Sequence, residues 1–368
     1  MTTTKAPIAA NLHGLDYRLA AARLGPPAVP ITDSHLHING PTACKVYAEV
    51  ARLFGVERML SQTRLADAEA VRAVLGDRVR FVAVPNWSDP DRGNAFRTGF
   101  VEHMRRWRER HGARVVKFWA APRLWEVIGG DPRDAAPLDS PWRVRAAELA
   151  MELGMMFMAH VADPDTWFRT KYADAKKFPP KPEHYAALER MVARFDRPWI
   201  AAHMGGWPED LGFLDGLLTR HPNLYLDTSA TKWIVRELGL HPRDEVVAFF
   251  DRWRGRVLFG SDIVTLEDHM APRVGGPAPS PMSDLANSPE TAFELYASRY
   301  YALRTMFETS HDGPSPIADP DLKMVEPERY TEMSSPRLQG LALPKDHLRV
   351  LYRDAAADLV DRWIAEHP

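Results

Sequence analysis

Two histidines one residue apart, His35 and His37, close the run Ile31-Thr32-Asp33-Ser34-His35-Leu36-His37-Ile38. On a strand, residues i and i+2 face the same side, so the two imidazoles share one face. Neutral imidazole is the commonest protein metal ligand, and two on one strand are half of a tetrahedral site. His-X-His also occurs on solvated strands, so the pair gains meaning only from its partners. Polar, metal-capable residues recur at the ends of later apolar runs. Lys117 lies in Val-Val-Lys-Phe-Trp, His160 ends Met-Met-Phe-Met-Ala-His, His203 ends Trp-Ile-Ala-Ala-His, and Asp262 ends Phe-Gly-Ser-Asp. Taken singly, each reads as a strand-end residue with an ordinary partner. Four converging histidines and an aspartate point to a metal.

The chemistry explains these residue types. Nitrogen and carboxylate ligands leave one position on a divalent ion for water, whose pKa then falls towards neutrality. Asp262 could both bind the ion and take the proton of the water. His203 is either a further ligand or an acid, base or electrophile beside the ion. The chain has 14 histidines, so chance must be weighed. His103, His111, His184, His221 and His241 fall on expected helix faces or turns and read as solvated surface.

Residues 29–37, 56–61, 79–84, 114–119, 155–160, 199–203, 224–227 and 257–262 read as eight short apolar strands. Helices are expected between them. One starts at Gly40-Pro41-Thr42 and stops at Gly55. Others cover 67–75, the stretch marked by Phe96, Phe100, Met104 and Trp107, and 140–153, opened by Ser140-Pro141. Further helices are expected at 184–195, 208–220 and 243–253. Strands alternating with helices argue for a parallel sheet, and eight of them for a closed (β/α)8 TIM barrel rather than an open sheet. The Gly-X-Gly-X-X-Gly turn of a doubly wound sheet is absent after the first strand. Active sites of such barrels lie at the carboxyl ends of the strands, where all these candidates stand.

Residues 1–28 read as an N-terminal arm with a helical turn around 15–24, and 29–368 as the barrel. Within the barrel, 264–344 breaks the alternation as a long insertion after strand eight. It carries a helix over 289–308 and sits at the mouth as a lid or subunit contact, or simply buries its apolar face on neighbouring loops. A closing helix is expected over 345–366.

A hydrophobic share of 45% and a charged share of 26% are those of an ordinary globular protein. The net charge of −2 provides no basic field for nucleic acid or an anionic membrane. A single cysteine, Cys44, excludes an intrachain disulfide and fits a reducing compartment. No apolar run is long enough to span a bilayer, and none of signal-peptide type lies in the first 27 residues. The expectation is a cytoplasmic protein, a homodimer or similar homo-oligomer, acting on a small molecule.

Asp33-Ser34-His35-Leu36-His37, Ala159-His160, Ala202-His203-Met204-Gly205-Gly206 and Phe259-Gly260-Ser261-Asp262, in this order, resemble the amidohydrolase superfamily. The resemblance is to its amidohydrolase-related, aminocarboxymuconate-semialdehyde decarboxylase-like branch, and runs from about residue 29 to 263. It implies a metal-dependent barrel enzyme with His35, His37, His160 and Asp262 as ligands. His203 would be catalytic with one ion and a ligand with two. Lys117 stands where a carboxylated lysine bridges the ions of two-metal relatives, though one-metal members carry a lysine there too. Zinc is the first expectation, with manganese, iron or cobalt also compatible, as one or two ions. The chain departs from the pattern in the 264–344 insertion, which puts substrate analogy in doubt. Arg353-Asp354-Ala355 also replaces an expected Gly-Asn-Ala, a matter of local packing.

Arg64, Trp119, Arg123 and Trp207 are the expected substrate contacts. Arg forks suit carboxylates and Trp walls suit flat or apolar parts. Two reactions fit: hydrolysis of an amide, ester or lactone of a small carboxylated substrate, or non-oxidative decarboxylation of an aromatic-like or unsaturated acid with His203 as proton donor. A barrel that only binds a ligand is the distant third.

Overall fold

A computed structural model describes residues 7–367 apart from 277, 279 and 281. Eight parallel strands neighbour one another in chain order: β1 (Ile31–Leu36), β2 (Val56–Ser61), β3 (Val79–Ala83), β4 (Val115–Trp119), β5 (Met156–His160), β6 (Trp199–Ala201), β7 (Leu224–Asp227) and β8 (Val257–Leu258). The two ends of the sheet meet. Ser34 N–H donates to Phe259 O and Asp262 N–H to His35 O, each at 2.8 Å, and His37 bridges Val264 in parallel. The (β/α)8 barrel read from the alternation is the fold.

Period-2 alternation divides each strand between lumen and helices. On β5 the register that turns His160 to the lumen turns Phe157 outward, where it stacks on Trp199 at 4.2 Å and on Phe118 at 6.0 Å. All three rings are fully buried, each contributing about 2–3 kcal/mol through apolar area removed from water.

β6 and β8 stop short of the expected 203 and 262. His203 (φ 61°) and Asp262 (φ 58°) adopt left-handed backbone, which cannot continue a strand and costs a residue with a Cβ about 1–2 kcal/mol. Such strain concentrates where a side chain must be re-aimed, and both residues belong to the candidate site. A helix missing from the sequence reading, Thr231–Leu238, begins directly after Ala230 with no capping side chain to announce it.

The arm donates Leu12 N–H to Pro316 O at 2.9 Å. Its helix Tyr17–Leu24 is capped by Asp16, and Arg18 lies 3.8 Å over the Phe293 ring. Phe293 belongs to the helix Pro289–Glu308, fourteen of whose twenty residues are buried. That helix is a wall of the barrel. Tyr300 O–H donates to Asp33 Oδ2 at 2.8 Å, and Tyr47 O–H lies 2.8 Å from the Tyr300 hydroxyl. Among the described residues of 264–344, those that line the mouth precede this helix: Val264, Leu266, Asp268, Ser280, Met282 and Ser283. The closing segment 345–366 is helical throughout, widened by π turns at Val350–Asp354 and Ala357–Asp361. Among the described residues, no helix is long and apolar enough to cross a membrane.

Candidate active site

His35, His37, Lys117, His160, His203 and Asp262 line one cavity of about 880 Å³ at the carboxyl ends of the strands. Asp262 Oδ1 lies 3.3 Å from His37 Nε2 and 3.6 Å from His35 Nε2. Lys117 Nζ is 3.3 Å from the same His35 Nε2. Ligands about 2.0–2.1 Å from a tetrahedral ion stand about 3.3–3.4 Å apart, so these atoms have the separations a divalent ion imposes. The donor set fits a metal.

Asp227, at the end of β7, holds the arrangement from behind. Its Oδ2 accepts from His35 Nδ1 at 2.8 Å, while Oδ1 accepts from the backbone N–H groups of His203 at 2.9 Å and Ser229 at 3.0 Å. The bond at Nδ1 fixes the His35 tautomer and leaves Nε2 for the lumen. Ser229 Oγ also donates to Asp227 and lies 2.7 Å from His203 Nδ1. His35, His203 and Asp227 could by proximity form a second metal group. Their facing atoms are already joined through Ser229, so the set reads as an anchor. His160 stands with its ring 4.4 Å from that of His203. Its Nε2 is held 2.8 Å from Asp163 Oδ1, and Asp163 Oδ2 accepts from Tyr172 O–H at 2.6 Å. This leaves Nδ1 for the lumen.

Burial, and after it the charge of Lys117, holds His35 well below the usual histidine range. Burial and the neighbouring His160, His35 and Lys117 do the same for His203. Both imidazoles are therefore neutral near pH 7, the form that binds a metal. Burial would raise Asp262, but the His37 hydrogen bond and the electrostatic pull of the surrounding His35, His37 and Lys117 side chains outweigh it and hold the carboxyl below its usual range. Burial pushes Lys117 down to about 8 against the pull of Asp227 and Asp262. Asp33, pushed up to about 7 by burial despite its hydrogen bonds, ties β1 to the loop after β8. Its Oδ2 accepts from Ser261 Oγ at 2.5 Å and its Oδ1 from Ser261 N–H at 3.2 Å.

Arg64, Trp119 and Arg123 line the cavity together with Arg92, Trp87, Phe96 and Trp233. Trp233 donates its indole N–H to Asp321 Oδ2 at 3.2 Å and sets its ring 5.8 Å from His203. Trp207 is not part of this wall. It stacks on Tyr185 at 5.1 Å and packs on Phe213 at 4.6 Å behind the β6 turn, because the left-handed His203 and Met204 turn the chain away from the mouth. Sequence reasoning missed Asp227, Asp163 and Ser229. Asp227 carried a usable signal, since it ends Leu-Tyr-Leu-Asp as His160 and His203 end their strands.

The family model described as Amidohydrolase matches residues 37–306, and the chain belongs to that family. No curated protein matches it. Among solved structures, it is similar to an uncharacterized TIM-barrel protein from Bordetella bronchiseptica, with 14% identity over 85% of this chain and 88% of that one, TM-score 0.43. It is also similar to 5-carboxyvanillate decarboxylase from Sphingomonas paucimobilis, with 12% identity over 90% and 99% of the two chains, TM-score 0.42. A third is a probable 2-pyrone-4,6-dicarboxylic acid hydrolase from Acinetobacter baumannii, with 10% identity over 81% and 99%, TM-score 0.41.

Proposed function

We propose that the protein is a metal-dependent hydrolase that cleaves an amide, ester or lactone of a small carboxylated molecule. The observation carrying this reading is the Asp262 carboxylate. It faces the cavity with 23% of its side chain exposed, 3.3 and 3.6 Å from two imidazole nitrogens. When bound, a divalent cation lowers the pKa of water and polarises a carbonyl. His35, His37, His160 and Asp262 would hold it; Lys117 would help to hold a second ion only if carboxylated, and otherwise stands beside the first. Zinc suits the mixed N/O donors, as do manganese, iron and cobalt.

The chain's own residues supply the rest. Asp262 accepts the proton of the attacking water and returns it to the leaving group. Arg64 and Arg123, whose side chains have no carboxylate partner among the described residues, receive the substrate carboxylate through their guanidinium forks. Trp87, Trp119 and Trp233 wall in its flat part. A second reading, decarboxylation, is favoured by His203. Ser229, whose own proton goes to Asp227, accepts from His203 Nδ1–H, so Nε2 takes up a proton from water before delivering it to the carbon that loses carbon dioxide.

The test begins with metal content per chain on protein purified without chelators. About two ions would support bridging by Lys117, and about one would leave it unliganded. The metal-loaded enzyme is then screened on carboxylated amides, esters and lactones, with carbon dioxide release followed in parallel. Asp262→Asn at saturating metal is expected to lose at least about a hundredfold in turnover. Full turnover in that variant removes Asp262 from the chemistry, and release of carbon dioxide with the decarboxylated molecule, without any hydrolysis product, replaces hydrolysis with decarboxylation.

A further inference from the structure

Gln62 follows the last residue of β2, at the end of the barrel where the candidate site lies. Its backbone N–H donates to Leu36 O at 2.8 Å, which pins the residue against β1. It is 1% exposed and shares the cavity wall with His37, Lys117 and Asp262. Neither its Oε1 nor its Nε2 has a hydrogen-bond partner among the described residues. Its polar neighbours differ. Asn39 donates to His37 O at 3.2 Å and accepts from Arg64 N–H at 2.8 Å. Ser61 Oγ and Thr63 Oγ1, on either side of Gln62, bond each other at 2.8 Å. A buried polar atom without a partner costs about 1–3 kcal/mol, and this residue carries two.

The carboxamide is uncharged and offers an acceptor at Oε1 and two donors at Nε2. Its complement is a group that accepts and donates from neighbouring atoms. An amide does so, its carbonyl oxygen accepting from Nε2–H and its N–H donating to Oε1. An ester or lactone has no hydrogen to give, and neither has a carboxylate, for which the arginines of the rim are the suitable partners. We propose that Gln62 is a specificity-determining residue that reads an N–H beside the reacting carbonyl and so selects amides over esters and lactones. This rests on the hydrolytic reading above. The reaction selected is amide plus water giving acid plus amine. The C–N bond breaks, a C–O bond forms, and the water proton passes through Asp262 to the leaving nitrogen.

The experiment compares zinc-loaded wild type with Gln62→Met, which keeps the volume of the side chain and removes both polar atoms. The first readout is thermal unfolding without ligand. The variant is expected to melt about 2 °C or more above wild type; a lower melting temperature shows that Gln62 has a structural partner and overturns the assignment. The second readout is calorimetric binding of N-methylphthalamate and monomethyl phthalate, which carry the same ring and carboxylate and differ only in N–H against ester oxygen. Wild type is expected to favour the amide by at least about tenfold, with the ratio falling towards one in the variant. No discrimination by wild type, whether through equal binding or none, overturns the proposal, as does a ratio that survives the substitution. Discrimination with no amide turned over would instead remove the hydrolytic reading and leave the recognition of N–H standing.

Discussion

Asp227 shows how much of a metal site resides in a residue that need not touch the ion. One carboxylate holds the His35 ring through Oδ2 and the backbone of His203 through Oδ1. Losing an outer partner of this kind costs about 10–100-fold in metal affinity. Asp227→Asn keeps the shape but brings an amide donor to a position where His35 Nδ1–H needs an acceptor. Zinc affinity by chelator competition is therefore expected to fall by about tenfold or more, with the fold intact by circular dichroism. Unchanged affinity would mean that packing alone orients His35. The four histidines that share the cavity were legible in the sequence, His160 and His203 because each ends an apolar run and His35 and His37 because they form a His-X-His pair. The role of Asp227 was not, since its partners are 192 and 24 residues distant along the chain and meet it only once the barrel closes.

The turn after β6 explains at the scale of an element why two glycines follow His203. Gly206 has φ 79°, and a Cβ there would stand 2.2 Å from Ala162 O. Backbone cannot yield as a flexible side chain can, so Gly206→Ala is expected to destabilise by about 3 kcal/mol or more and to displace the β5 and β6 loops that carry His160 and His203. Gly212, whose added Cβ would meet only Asp210 Oδ1 at 3.5 Å, lies in the helix Leu211–Arg220, and Gly212→Ala there is expected to stabilise by about 0.5–1 kcal/mol. Paired denaturant melts check both signs. Strand and helix types were readable from apolar period and caps. Where strands end was less so, because His203 and Asp262 leave the extended region to aim their side chains, and nothing in an apolar run records that. The helix Pro289–Glu308 was legible as a helix, but an apolar face does not say what it faces; here it is the barrel wall.

Over the whole molecule, barrel closure buries groups that an isolated helix face would leave wet. His184 was expected on a solvated surface; it is 7% exposed, packed at 6.0 Å against Phe168. Burial pushes it down to about 4, against the pull of Asp163 and its bond to the Pro179 carbonyl. The unfolded chain takes up this proton near pH 6.5, whereas the folded chain resists it until about pH 4. Stability is therefore complete above about pH 6.5 and is lost as pH falls through that window, by about 2 kcal/mol from this residue at pH 5. His103, His111 and His269, also lowered chiefly by burial, act in the same direction. His184→Gln removes one contribution and leaves the others in place. The fall in melting temperature between pH 7.5 and pH 5 is expected to be smaller in that variant than in wild type, with the two curves converging towards low pH. Parallel curves across the window would show that His184 takes up its proton in the folded barrel as readily as in the unfolded chain.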